Sequence, residues 1–403
     1  MKNYFTSLKI IAPVCLFVFA GCSANKKTTG KITNTDLTTL KFTTEEATDW
    51  SNLFFRKSGW FGADGIFAIP ENGVDTAGAG KTQETTLLFS DTMIGDIIND
   101  SLQPGFVMIH NSAAIIKGDE ANKDSIQFYW NKKADGKPES TFIPNTPQSK
   151  PGDYYWLGDG FVNHAMNDAT YVFAYRIHDT SAAAFGFAEL GNVLIKIPKG
   201  SKPPFKDQQQ MDTPFFLGGT AETYGSFGAG IFVNTKEAGQ VNADGYIYVY
   251  GVRGKEKNVM VARVLPKDFE NFSKWRFWDG STWNADIKMV ANITNRASNE
   301  LSVSPLPDGR YAMVFQTDGI GRGVGLRLSN HPQGPFGPVI TLWECKEPDI
   351  SKNFMVYNAK AHTNLSKPNE LLISYNVNSF DFWNDVYKFP NLYRPRFIRV
   401  KLL

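Results

Sequence analysis

The sequence predicts an all-β fold, a five-bladed β-propeller, on three observations. Helical periodicity is scarce. Short β patterns bounded by Gly, Pro, Asn and Asp recur along the chain, and they group into sets of about four. Propeller blades are four-stranded sheets around a channel, and joining them in a ring removes the strand edges that an open sheet exposes. With 35 Gly, 21 Pro and 14% aromatic residues, the composition suits many turns linking aromatic-rich strands. Two β-sandwich domains are the alternative, against which no Pro/Gly/Ser-rich linker divides the chain.

The first residues read as an address. Lys2 and Lys9 precede the apolar run Ile10–Ala20, which ends in Gly21-Cys22. A basic start, a short apolar stretch and small residues before a cleavage point describe a secretory signal. The Cys after Ala-Gly makes it resemble a bacterial lipoprotein signal, in which Cys22 is lipidated and becomes the N-terminus. An ordinary signal peptide with a chance Cys is the alternative. The apolar run is too short for a membrane span. The expected division is a signal at 1–21, a flexible polar tether at 22–44 and the propeller at 45–403. Cleavage would remove two lysines and no acid, taking the net charge from +2 to 0, and would leave Cys345 as the one free thiol. Ser23 stands where an inner-membrane retention Asp would, which favours the outer membrane.

The strands follow in order. Set one is Gly65–Ile69, Thr85–Ser90, Phe106–Ile116 and Ile126–Trp130. Set two is Gly160–Asn163, Thr170–Tyr175, Asn192–Ile197 and Phe215–Leu217. Ala229–Asn234, Tyr246–Gly251, Val259–Val264 and Trp275–Trp278 make set three. Set four holds Leu301–Ser304, Tyr311–Gln316, Val324–Leu328 and Val339–Trp343. Set five, Ala359–Leu365, Leu371–Tyr375 and Phe397–Val400, lacks one strand, which the segment Phe42–Phe55 is expected to supply.

Several chemistries are excluded. Lys+Arg 42 against Asp+Glu 40 leaves no basic excess for nucleic acid, and three Cys cannot form a disulfide framework. Five scattered His lack zinc-ligand spacing, no nucleophile elbow supports Ser-His-Asp hydrolysis, and Gly321–Gly325 lacks the strand-to-helix setting of a phosphate loop. No cofactor and no metal are expected.

Topology then locates the candidate site. In a propeller the first strand of a blade lines the channel and the second returns beside it, so strand-one openers and strand-two closers share one end. The openers include Asp64, Asp159 and Glu300; the closers include Asp91, Arg176 and Arg253. Several acids around one pit suit glycoside hydrolysis, which needs one protonated carboxyl and one carboxylate. Trp60, Phe61 and Trp156 stand beside two of the acids and suit stacking on sugar faces, while Arg and Asn suit hydroxyls. Glu222 is the reserve acid, and His362 a candidate ligand-binding side chain. For each acid the bland reading is a turn or cap residue.

At these residues the chain resembles a family. Gly59-Trp60-Phe61-Gly62-Ala63-Asp64-Gly65, Leu88-Phe89-Ser90-Asp91-Thr92-Met93-Ile94-Gly95 and His110-Asn111-Ser112 are similar to the opening of propeller proteins catalogued as a domain of unknown function, a group that includes bacterial endo-D-arabinanases. Asp244–Gly251, Val261–Val264, Trp278-Asp279-Gly280, Asn299–Val303, Gly334-Pro335-Phe336 and Tyr357–His362 continue the likeness over most of Trp60–Val400. More distantly, the chain is similar to the arabinanase/xylosidase and invertase propellers. That resemblance implies Asp64 as base or nucleophile, Asp159 as the group tuning pKa and orientation, and Glu300 as the acid. The expected function is a lipid-anchored glycoside hydrolase acting on a polysaccharide or oligosaccharide, with arabinan-like furanosides leading. A non-catalytic glycan-binding lipoprotein and an envelope scaffold remain as alternatives.

Overall fold

Runs such as Tyr171–Ala174 and Val193–Ile195 are apolar at every position and fully buried, so their strands must be covered on both faces. The computed structural model, which describes Met1, residues 36–181 and residues 186–403, meets that demand by stacking sheets face to face. Sheet I is Phe67–Pro70, Glu84–Phe89, Ser112–Lys117 and Ile126–Tyr129. Sheet II is Asp153–Asn163, Ala169–Asp179, Phe187–Ile197 and Gln209–Thr213. Sheet III runs Gly225–Asn234, Tyr246–Arg253, Asn258–Val264, Arg276–Trp278 and Trp283–Asn284. Leu301–Pro305, Tyr311–Gln316, Gly323–Ser329 and Ile340–Glu344 form sheet IV. Sheet V is Phe354–Ala361, Glu370–Ser379 and Arg396–Leu402, completed by the N-terminal strand Phe42–Glu46, which pairs antiparallel with Arg396–Leu402.

Buried clusters fill the space between neighbouring sheets. Leu88, Tyr155 and Val193 pack between I and II, and Phe173, Phe227 and Trp275 between II and III. Tyr250, Leu301 and Phe315 pack between III and IV, and Val314, Leu326 and Ile373 between IV and V. A further cluster joins Phe89 and Leu87 of sheet I to Leu372 and Phe397 of sheet V. The fold is all-β and propeller-like.

The first strands of the sheets lie against one another at backbone distance. A Cβ on Gly158 would stand 2.6 Å from the Gly228 carbonyl oxygen, and one on Gly230 would stand 2.6 Å from that of Leu301. Only glycine permits this approach. Three of these strands carry a bulge, at Leu157/Gly160, Phe227/Gly230 and Tyr357/Lys360. A bulge leaves the extra residues out of the ladder and re-aims their side chains, here Asp159 and Asn358.

Three expectations change. Phe106–Ile116 divides in two: Ser112–Lys117 stays in sheet I, whereas Val107–Ile109 pairs with Thr92–Ile98 in a separate small sheet that also holds Ser58–Ala63. The fourth strand of sheet II is Gln209–Thr213 rather than Phe215–Leu217, because Phe215 is needed in the core between II and III. The end of the expected tether is held in place: Leu37, Leu40 and Phe42 pack on the sheet IV–V cluster, and the Arg310 guanidinium donates to the carbonyls of Asp36 and Thr39. The signal segment, Cys22 and the tether up to residue 35 lie outside the described residues. Among the described residues no helix is long and apolar enough to cross a membrane.

Candidate active site

Asp64 and Asp91 sit where two strands bend out of sheet I into the small sheet. Ala63 pairs with Thr92 on one side of the bend and Phe67 with Leu88 on the other. The two bends are tied by Ser90 N–H donating to the Asp64 carbonyl at 2.9 Å. Gly65 makes the turn with φ 60°, in the left-handed region, and a Cβ there would stand 2.8 Å from Ser90 Oγ. Both carboxyls line a cavity of about 550 Å³.

Sheet II adds Trp156, Tyr175 and Glu189 to its wall, sheet III Arg253 and Lys257, sheet IV Glu300, and sheet V Tyr357 and Asn358. Residues from all five sheets thus meet at one hollow.

The electrostatics differ between the acids. The Tyr357 hydroxyl donates to Asp64 Oδ2 at 2.7 Å, and Oδ1 is buried without a hydrogen-bond partner. Burial, and then the neighbouring Asp91, push Asp64 up to about 8, against the pull of the Tyr357 and Tyr393 hydroxyls. Glu189 accepts a hydrogen bond from the Ser226 hydroxyl, and burial of its carboxyl pushes it up to about 8 as well. Glu300 is different. Its carboxylate is ion-paired with Lys360 and accepts from Asn358 Nδ2 at 2.7 Å, both groups being buried. Its pKa is raised by burial, which the pull of Lys360 and of the Asn358 hydrogen bond offsets only in part. Asp91 is paired with His110 Nδ1 at 3.1 Å, and the His110 ring stacks on Tyr154 at 3.8 Å.

A second, much smaller cavity of about 40 Å³ lies beside the first strands of the sheets, lined among others by Asp75, Asp159, Lys360 and His362. Asp159 accepts the Gly160 and Ile231 N–H groups at 2.8 and 2.7 Å, and burial pushes it up to about 7. His362 bonds Ser374 Oγ at 2.7 Å and is held down to about 3 by burial and Lys360, so it is a neutral imidazole. Among the described residues no three His, Cys, Asp or Glu are grouped to share a metal ion.

Several expected site residues are therefore elsewhere. Asp159 and His362 line the small cavity, not the large one, because the bulge turns Asp159 onto the Ile231 backbone and burial holds His362 against Ser374. Trp60 is a core residue, 1% exposed and stacked on Phe128 at 4.5 Å, and Phe61 is equally buried. Their strand belongs to the small sheet: Trp60 packs in the cluster joining sheets I and V, and Phe61 in another with Met93 and Tyr393. Arg176 is buried between Asp153 and Asp212, at 3.7 and 3.5 Å, and donates to the Leu190 carbonyl. Glu222 is exposed on a turn and lines neither cavity. Asp64, Asp91, Trp156, Arg253 and Glu300 do share the large cavity.

The family described as a domain of unknown function, DUF5005, matches residues 47–402. The chain belongs to that family. No curated protein matches the sequence. Among solved structures, a Bacteroides ovatus protein provisionally named a hydrolase is similar to this DUF5005 chain with TM-score 0.67 at 20% identity, covering 91% of this chain and 97% of that one. The likeness is one of fold. Glycoside hydrolases are among the other structural neighbours. A GH43_1 enzyme from Xanthomonas citri, complexed with xylose, has TM-score 0.43 at 14% identity over 89% of this chain and 93% of its own. An exo-β-1,3-galactanase from Phanerochaete chrysosporium has TM-score 0.43 at 10% identity over 81% and 60%.

Two residues of this DUF5005 site escape sequence reasoning. Glu189 lies three residues before the expected start of its strand at Asn192; the strand begins at Phe187, and the earlier start carries the acid to the cavity wall. Lys360 sits between Ala359 and Ala361 in a strand of buried residues. A lone charge in such a run is the signal that could have found Lys360; Glu189, among partly exposed residues, gives none.

A pH dependence follows from these acids. Asp64, Glu189, Asp159 and Asp75 are raised in the fold, to about 8, 8, 7 and 6. Between about pH 4 and each raised value the folded chain keeps a proton that the unfolded chain has lost, so stability falls as pH rises across that window, by at most about 1.4 kcal/mol per pH unit for each proton kept. Thermal midpoints read from pH 5 to 8 should show a net decline, steepest above about 6.5 where the opposing contribution of the neutral His362 ends, and Glu189→Gln should flatten it. A midpoint that climbs over this range would show these acids to be ionised in the fold.

Proposed function

We propose that this DUF5005 chain is a glycoside hydrolase of the bacterial envelope, built as a five-bladed propeller and tethered through lipidated Cys22, with the outer membrane as its site. The observation that carries the enzymatic part is the meeting of Asp64, Glu189 and Glu300 on one cavity of about 550 Å³ with Trp156 in its wall. The five inter-sheet clusters, including the one joining sheets V and I, support the ring.

Glycoside cleavage needs a proton for the leaving oxygen and a carboxylate for the sugar carbon or the attacking water. Glu300, paired with Lys360, supplies the carboxylate. Asp64 and Glu189, raised to about 8, keep their protons at neutral pH and supply the acid. Asp64 is favoured as the donor because Tyr357 engages one oxygen and the other is unpartnered. This ordering is opposite to the one the resemblance implies. The aromatic edge of Trp156, with Phe187 at 4.6 Å, offers a face for a sugar ring.

The test is incubation of the purified chain with furanosidic and pyranosidic glycans, arabinan-like furanosides first, with products read by chromatography. Release of sugar from any member supports the hydrolase. Tight binding with no product points to a glycan-binding lipoprotein, and absence of both to a scaffold.

A further inference from the structure

One wall of the large cavity is cationic, while its carboxyl groups come from other parts of the lining. Arg253 donates through Nε to Asn292 Oδ1 and through Nη2 to the Val290 carbonyl, both at 2.9 Å. Lys257 Nζ donates to Asn299 Oδ1 at 2.7 Å, next to Glu300 in the chain. Both belong to one hairpin of sheet III, and each is only partly exposed. Among the described residues neither has a carboxylate within ion-pair distance, unlike Arg176, Arg296, Arg310, Arg322 and Lys360, each of which has one. Unlike Arg327 and Arg394, whose pKa burial also lowers, they line the large cavity. Burial lowers the pKa of both, with no neighbouring acid acting on either. Lys257 is also held with φ 51°, in the left-handed region that non-glycine residues seldom adopt.

Half-desolvated cations without a counter-ion are unfavourable and call for an anion. We infer that the cavity takes a glycan bearing an anionic group, a carboxylate or a sulfate ester, which Arg253 and Lys257 hold in the hollow they share with Asp64, Glu189 and Glu300. The inference rests on the hydrolase reading for its choice of a glycan. The geometry suits it: Lys257 is tied to Asn299, the residue before Glu300, so an anion held there lies one residue from the proposed carboxylate. Charge-assisted hydrogen bonds to an anion are about twice as strong as those to neutral hydroxyls, so the preference should be large.

The experiment is calorimetric titration of the whole chain with three probes of equal length: a neutral galacto-oligosaccharide, an oligogalacturonate and a sulfated galacto-oligosaccharide. Binding of at least one charged probe roughly tenfold or more tighter than the neutral one is expected, and the better charged probe identifies the anion. That affinity should fall when salt is raised from 20 to 500 mM, by roughly the factor that screening of two contacts implies. Arg253→Gln and Lys257→Gln should each weaken the charged probe roughly tenfold, and the neutral probe far less. Equal affinity for neutral and charged probes, or weaker binding of both charged ones, overturns the inference. The salt series uses the unaltered chain, so it decides even where a variant fails to fold. Product release is scored separately. Cleavage of the neutral probe without preference for charge leaves the hydrolase standing and removes this inference. Tight charged binding without cleavage of any glycan does the reverse.

Discussion

Glu300→Gln should lower product release by roughly 10³-fold while glycan binding changes only a few-fold. The amide keeps the shape of the side chain and can still accept from Asn358, but it cannot attack a sugar carbon or take a proton from water. Asp64→Asn should do comparable damage on a natural glycan, and the two variants separate by leaving group. A glycoside whose aryl leaving group departs without a proton should restore most of the Asp64→Asn rate and none of the Glu300→Gln rate, because only the proton donor becomes dispensable. Restoration in Glu189→Gln instead would move the acid to sheet II. Undiminished turnover by Glu300→Gln would remove the carboxylate assignment altogether. Initial rates on both substrate types, with binding measured alongside, read every case.

The second large effect is structural and passes through the same pair. Lys360 is 2% exposed, ion-paired to Glu300 and seated over the Phe67 ring at 4.6 Å, so it ties sheet V to sheets IV and I. Removing one partner of a buried ion pair leaves an uncompensated charge, at a cost of about 3–5 kcal/mol. Lys360→Met should therefore lose about that much in chemical denaturation and drive Glu300 toward its protonated form. Adding Glu300→Gln to Lys360→Met should recover part of the stability, since no ion then remains without its partner, yet recover none of the turnover. Additive losses in the double variant would show that the two side chains are not coupled.

Both predictions draw on residues that differ in how openly the chain advertises them. Asp64, Asp91 and Glu300 were legible because each stands at the edge of an apolar strand, where a turn places it at the end of a sheet. Arg253 was legible for the same reason, and Trp156 because it stands close to a candidate acid in the chain. Trp60 misled, since an aromatic beside a candidate acid suits stacking on sugar as well as it suits packing on Phe128 and Phe89. Arg176 misled in the same way: a strand-closing arginine serves a ligand or a pair of aspartates equally, and Asp153 and Asp212 come from neighbouring strands whose pairing no local pattern announces. Asp159 was expected to open its strand, but it lies inside the longer strand Asp153–Asn163, where the bulge at Leu157/Gly160 turns it to the smaller cavity.

By itself the sequence determined most of the strands and their grouping, though not the split of Phe106–Ile116 or the Gln209–Thr213 strand, since side-chain alternation and turn residues act over a few positions and need no distant partner. It determined that acids accumulate at strand ends. Only the tertiary structure decided which of them share a hollow, that Glu189 joins them, and that Lys360 neutralises Glu300. The physical reason is that strands buried on both faces show no polar side from which a cavity wall could be told from core. Which flank becomes cavity depends on how bulged strands far apart in the chain pack side by side.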